Sequence, residues 1–370
     1  MAKNSTSSNP IPDTVWLGRG RHTGPEPELD VRRNLIALKA AGVLDDFTEL
    51  DPAEAARSSA LYPRDESADP GPSARLVFEA RWRVDEDVTV RAQLTTYAQG
   101  HRRKDSQGVG WVLAAEAERT WQPHWPSPAT MFWPDSDLVP WDHDTAPGLR
   151  IRAANHLPED DDQVRERLRE TAKDGWHIHV LVHEAMTPEA AGQQPVTRFL
   201  PPSLRHRVVE HRASPEQANT ADFAAKKELK VRIPRGGAVV LPPAPQPRGY
   251  EADRFTVRNV FLDGSEPVEL INRIQDYAAL PQPLAADAEP ALARLRTGWH
   301  LLTPEEELAH AKAMVEKYAA ELDAMTQSRD KYRAAAESAQ AALPAGADDD
   351  GGPKPSALAP IKAFGRFRNK

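Results

Sequence analysis

Cysteine is absent from the 370 residues, which removes disulfides, thiolate zinc sites and cysteine nucleophiles together. No run approaches the roughly 18 consecutive apolar residues that a membrane-spanning helix needs. The opening stretch Met1-Ala2-Lys3-Asn4-Ser5-Thr6-Ser7-Ser8 has no apolar core of a secretory leader, so a cytoplasmic location is the expectation. Excess positive charge is lacking as well: 47 basic side chains face 55 acidic ones, for a net charge of -8. That argues against global attraction to nucleic acid or anionic lipid and leaves room only for local basic patches. Three familiar devices are also missing: the Gly-x-x-x-x-Gly-Lys phosphate loop, the Gly-x-Gly-x-x-Gly dinucleotide turn and the Gly-x-Ser-x-Gly nucleophile elbow. The common nucleotide-dependent and acyl-transfer routes therefore have no sequence support.

What is present supports a folded protein. Hydrophobic residues make up 40% and charged residues 28%, enough apolar material for a sizeable core, and the length suggests two or three folded units. Alanine, arginine and proline are abundant and lysine sparse, a composition that suggests a GC-rich bacterial genome.

The pattern along the chain predicts an α+β protein: an antiparallel sheet meander with packed helices, a small second mixed unit, a long coiled-coil-like helix and a disordered tail. Residues 1–27 are polar and rich in Pro and Gly, and read as a flexible arm in which Trp16 and Leu17 can dock. Residues 28–62 read as a helical segment. Leu29, Leu35, Ile36 and Leu38 recur at near-helical spacing, Gly42 stands at a helix end, and Asp51-Pro52 opens a second short helix. Residues 63–73 have linker composition.

A central α+β domain is expected over 74–213. Leu76, Phe78, Ala80, Trp82 and Val84 alternate with Glu79, Arg81 and Arg83, and Val88, Val90, Ala92 and Leu94 alternate after the polar loop 85–87. Period-two alternation on both sides of a short loop predicts an antiparallel hairpin with one wet face. Trp111, Leu113, Ala115 and Ala117 continue the meander. The Pro- and Trp-rich stretch 120–147 reads as an irregular loop sealing the sheet. A strand near 149–153, a helix over 161–173 marked by Val164, Leu168 and Ala172 and ended by Asp174-Gly175, and a strand over 176–183 follow. Polar residues around Ser214–Thr220 suggest a second boundary. A smaller α+β unit over 214–300, or an extension of the preceding sheet, has alternating Leu229, Val231 and Ile233, a strand around Phe255, Val257 and Phe261, and a helix carrying Leu270, Ile271, Ile274 and Tyr277.

The longest coherent pattern lies in residues 301–343. Thr303 suits an N-cap, Pro304 the first helical position, and Glu305, Glu306 and Glu307 the positive end of the helix dipole. From there Leu308, Ala311, Val315, Tyr318, Leu322, Met325, Arg329, Tyr332, Ala336, Ala339 and Leu343 follow alternating steps of three and four, the seam of a coiled coil. Pro344 ends it. The tail, 344–370, carries Phe364 and Phe367 among Lys362, Arg366, Arg368 and Lys370, a composition that suits a short docking peptide for a protein or a weak nucleic-acid contact.

One stretch has ligand spacing. In Trp176-His177-Ile178-His179-Val180-Leu181-Val182-His183, a strand places His177, His179 and His183 on the face opposite Trp176, Ile178, Val180 and Val182. Residues two apart on a strand stand roughly 7 Å apart at the backbone, within reach of one divalent ion. A His-hydrophobic-His strand after Gly175-Trp176 resembles the metal-binding motif of HUH endonucleases, which nick single-stranded DNA. The resemblance, over about eight residues, implies a divalent metal on His177 and His179 and a tyrosine nucleophile. The family's Tyr-x-x-Lys arrangement has no counterpart here, although Tyr277, Tyr318 and Tyr332 lie downstream. His183-Glu184-Ala185-Met186-Thr187 lacks the second histidine of a zincin. Asp135, Asp137, Asp142 and Asp144 surround His143 in the Trp-rich loop, where a solvated surface is the expectation. Trp125, Trp133 and Trp141 suit stacking on a sugar or base, the third reading beside the nuclease.

No catalytic residue is assigned from these signals. They favour a non-catalytic interaction or assembly protein, an adaptor or structural component. It would associate with itself or a protein partner through residues 303–343, using Leu308, Val315, Tyr318, Leu322, Met325 and Tyr332. Phe364 and Phe367 would recruit a further partner. A resident cofactor is not expected, the alternative being a divalent metal at His177 and His179.

Overall fold

The structure, a computed structural model, describes residues 10–51, 74–97, 108–134, 141–142, 149–183, 194–258, 260, 267–285 and 288–341. The chain divides into two compact units, 1–301 and 302–370.

The first unit is α+β and contains two sheets. Six antiparallel strands make the first, in the order β2 (Asp46–Leu50), β3 (Ala74–Val84), β4 (Val88–Tyr97), β5 (Val109–Ala117), β1 (Val15–His22) and β6 (Trp141–Asp142). The expected meander is β3-β4-β5, and its register sets Phe78 opposite Leu94, Trp82 opposite Val90 and Leu94 opposite Leu113. Asp85 and Glu86 both take positive φ, 47° and 67°, as the tight reversal between right-twisted strands requires. Trp16, Phe78, Trp82, Leu94, Trp111 and Leu113 form the core on one face, closed by α1 (Pro27–Ala40) and the short α2 (Pro128–Phe132). On the other face Val15, Leu17 and Ala114 pack against α6 (Glu289–Thr297) through Ala291, Leu292 and Leu295.

The second sheet is mixed, in the order β11 (Thr256–Val257), β10 (Ala238–Leu241), β8 (Ile178–His183), β9 (Val208–Ala213) and β7 (Ala154–His156). β7, β9 and β8 run parallel, while β10 runs antiparallel to β8 and β11 to β10. Helices cover both faces. α3 (Asp161–Lys173) and α4 (Ala218–Leu229) bring Val164, Leu168, Ala221, Ala224 and Ala225 onto Leu181 and Val239. α5 (Val268–Ala278) brings Leu270, Ile274 and Tyr277 to the cluster around Ile178, Val180, Val182 and Val240. With both faces covered, every residue of β8, β9 and β10 is buried, the normal condition of parallel strands flanked by helices.

Several expectations need correction. The segment 1–27 is not merely a flexible arm: its residues 15–22 form β1, inserted between β5 and β6, with Trp16 1% exposed. Its Gly and Pro content hid the apolar Val15-Trp16-Leu17. The helical segment 28–62 contains α1, but residues 46–50 are a strand on the sheet edge; the second short helix and the linker 63–73 lie outside the described residues. At 213/214 the extension reading applies rather than a separate unit, because one sheet takes β7, β8 and β9 from one side of that point and β10 and β11 from the other. Ser214–Thr220 leads into α4, whose buried alanines at 218, 221, 224 and 225 keep helical spacing. Alanine is the strongest helix former, and Leu229 ends this helix rather than starting a strand. The wet face of β3 and β4 is partly covered, since Glu79 is fully buried.

The second unit contains α7 (Pro304–Ala341), 38 residues long. A capping box opens it: the Thr303 amide donates to Glu306 Oε2 (2.8 Å) and the Glu306 amide to Thr303 Oγ1 (3.0 Å), satisfying two orphan helix N–H groups reciprocally. Leu343, Pro344 and the tail lie outside the described residues. Among those described, no helix is long and apolar enough to cross a membrane.

Candidate functional sites

Two arrangements stand out: a buried polar cluster in the second sheet and the apolar line along α7. The cluster begins where α3 ends. Asp174 follows the helix, its Oδ1 accepts the Trp176 amide (2.9 Å), and the reversal feeds the chain into β8. Its Oδ2 receives both His177 Nδ1 (2.9 Å) and His179 Nε2 (2.7 Å). His177 Nε2 lies 2.9 Å from the Arg19 carbonyl of β1, and His179 Nδ1 lies 2.9 Å from His211 Nε2 on β9. Both partners of His177, the Asp174 carboxylate and the Arg19 carbonyl, are acceptors. His179 donates from Nε2 and so accepts at Nδ1 from His211 when neutral. Burial pushes His179 below the ordinary histidine range, against the pull of Asp174.

A second buried pair adjoins it on β9. Arg212 Nε donates to Glu210 Oε1 (2.6 Å), the Val196 amide donates to Glu210 Oε2 (2.7 Å), and an Arg212 amino group donates to the Gln194 carbonyl (2.6 Å). Burial pushes the Glu210 carboxyl upward, and Arg212 pulls it back. His206 lies just before β9, with Nδ1 3.0 Å from Ser127 Oγ, and burial drives it down to about 3.

The structure thus brings His177 and His179 together around Asp174 as acceptor. His183 stands apart and takes the Gly236 amide at Nδ1 (2.5 Å). The two imidazole nitrogens that face a common point find a carboxylate oxygen there at hydrogen-bond distance, and no group of three ligating side chains suited to a metal ion occurs among the described residues. The cavity beside Asp174 and His177 measures about 20 Å³, room for about one water. This geometry defines tautomers and joins β8, β9 and β1; it offers no substrate volume. Sequence reasoning found the two histidines and missed Asp174, read only as a helix stop. It also missed His211 and the Glu210–Arg212 pair, since Glu-His-Arg in a strand reads as a wet face.

The tryptophans divide. Trp125 is 2% exposed and Trp133 fully buried, so neither presents a ring face to solvent. The Trp125 indole donates to Asp85 Oδ2 in the β3–β4 turn (2.7 Å). Asp135, Asp137, His143 and Asp144, and the side chains of Trp141 and Asp142, lie outside what is described.

Along α7 the seam side chains meet solvent: Leu308 is 56%, Val315 67%, Tyr318 54%, Leu322 61%, Met325 64% and Tyr332 76% exposed. Large apolar residues exposed in one line are unusual on a helix that functions alone. Phe364 and Phe367, in the tail, are among the residues not described.

No protein-family model, curated protein or solved structure matches this chain.

Proposed function

We propose that the protein is a non-catalytic assembly component that pairs through α7 with a second copy of itself. The observation that carries this reading is the exposed seam, six large apolar side chains at steps of three, four and seven on one 38-residue helix. Each contributes about 1.5–3 kcal/mol on full burial. The helix does not depend on packing to form, since eleven of its residues are alanine. Its flanks favour its own copy as partner. One flank of the seam carries Lys312, Ala319, Thr326 and Arg333, and the other Glu307, Met314, Glu321 and Ser328. A parallel pair sets Glu307 against Lys312 and brings no like charges together across these flanks. Arg329, held by Asp330 (2.8 Å), interrupts the seam and fixes register at a cost in stability, as a single polar core residue does in coiled coils. The tail with Phe364 and Phe367 then recruits a further protein.

Light scattering on the full chain tests this. A dimeric mass is expected, with a monomer for Leu322→Glu and for a chain ending at His300, and a tighter dimer for Arg329→Leu. A monomer for the unaltered chain at about 100 μM, some hundredfold above the micromolar affinity such a seam would give, defeats the reading.

A further inference from the structure

The first unit contains a cleft of about 540 Å³, within the roughly 300–1,000 Å³ of small-molecule sites. Its walls are apolar: Ile11, Trp16, Trp121, Leu204 and Leu280 line it, and Arg207 supplies the cation. Trp121 stands edge-on to Trp125, with ring centroids 5.5 Å apart, which fixes the indole plane.

Arg207 is the feature that calls for explanation. It sits in the turn leading into β9, and its backbone is tied on both sides: its amide donates to the Leu204 carbonyl (3.0 Å), and its carbonyl accepts the Ile178 amide (2.7 Å). The side chain makes no hydrogen bond or ion pair within the described residues, and Nε is sealed from solvent without a partner. Burial lowers the guanidinium to about 10, still charged at neutral pH. A partly buried guanidinium without a counter-ion contrasts with Arg212, which has Glu210. The carboxylate that lines the same cleft, Asp13, accepts from Thr120 Oγ1 (2.9 Å).

We propose that this cleft binds a small organic carboxylate with a flat apolar body, the carboxylate on the terminal amino groups of Arg207 and the ring against Trp121. The guanidinium fork matches a carboxylate in two parallel hydrogen bonds. The aromatic walls supply area for a ring, and the missing negative charge comes from the ligand. This site is independent of α7, and its occupancy does not require the dimer.

Calorimetric titration of the full chain with 2-naphthoate, and with neutral 2-naphthalenemethanol, tests the assignment. Saturable 1:1 binding of the acid is expected, about 10–100-fold tighter than the alcohol, as a charged hydrogen-bonded pair provides. Arg207→Gln should erase that preference and Arg207→Lys keep part of it. Ala279→Phe, at an exposed position lining the cleft, should weaken both ligands without touching Arg207, and serves if Arg207→Gln does not fold. No saturable binding of 2-naphthoate, equal affinity for acid and alcohol, or binding unchanged by both Arg207→Gln and Ala279→Phe overturns the proposal.

Discussion

In the six-stranded sheet, β3 alternates buried residues such as Trp82 and Val84 with the exposed Arg83, whereas β8, β9 and β10 of the five-stranded sheet expose nothing. Both sheets carry charged side chains, and their surroundings decide what those charges do. Arg83 reaches Asp45 at 3.4 Å with 61% of its side chain in solvent; Arg212 reaches Glu210 at 2.6 Å with 1%. Water screens the first pair and is withdrawn from the second. A charge on an open face is therefore nearly optional, while one inside a doubly covered sheet commits its whole neighbourhood.

The sharpest way to break that comparison is to remove one member of the inner pair. Arg212→Met should destabilise the protein by roughly 3–5 kcal/mol, because it strands the Glu210 carboxylate. Adding Glu210→Leu should recover most of the loss, measured by denaturant unfolding of the single and double variants. If the double variant is no more stable than the single, the pair is not the unit described here.

Acid should act next, and through the inner sheet. His179 and His206 hold depressed folded values, His206 about 3, against an ordinary 6.5. Below pH 6.5 the unfolded chain takes up protons that these buried rings refuse. Stability is thus present above 6.5 and falls toward pH 3, by up to about 1.4 kcal/mol per pH unit for each ring. Denaturant midpoints measured from pH 7 to 4 should show this slope, and His206→Gln should flatten it by about half. An unchanged slope would remove His206 from the account.

The smallest effect belongs to the outer arginine: Arg83→Ala should change stability by no more than about 0.5 kcal/mol at moderate salt. A loss approaching that of Arg212→Met would erase the distinction between the sheets.

The same distinction explains what the sequence made legible. The β3–β4 hairpin could be read because its second face is only partly covered near the turn, where Arg81, Arg83, Thr89 and Arg91 alternate with buried apolar residues. Helix α3 could be read at its full length from Val164, Leu168 and the Asp174-Gly175 stop, and α7 from Thr303, Pro304 and the seam. β9 could not, since Val208-Val209-Glu210-His211-Arg212-Ala213 buries its polar residues as deeply as its apolar ones; only partners distant in sequence, Gln194 and His179, make that tolerable. β1 was hidden for a related reason. Its pairing with β5 and its Trp16 indole bond to the Ser203 carbonyl, 187 residues away, leave no local trace. Asp174 was visible as a helix terminator and invisible as the acceptor shared by two histidines, because that role depends on the turn into β8.

The placement of β1 also bears on how the chain is made. Val15 sits opposite Glu116, so this strand, once made, lacks its β5 neighbour until about a hundred more residues have been synthesised. At ordinary elongation rates of about 5–20 residues per second, that wait lasts roughly 5–20 s. Throughout it Val15, Trp16 and Leu17 lack the ladder that buries them, making this nascent segment a natural client for a holding chaperone.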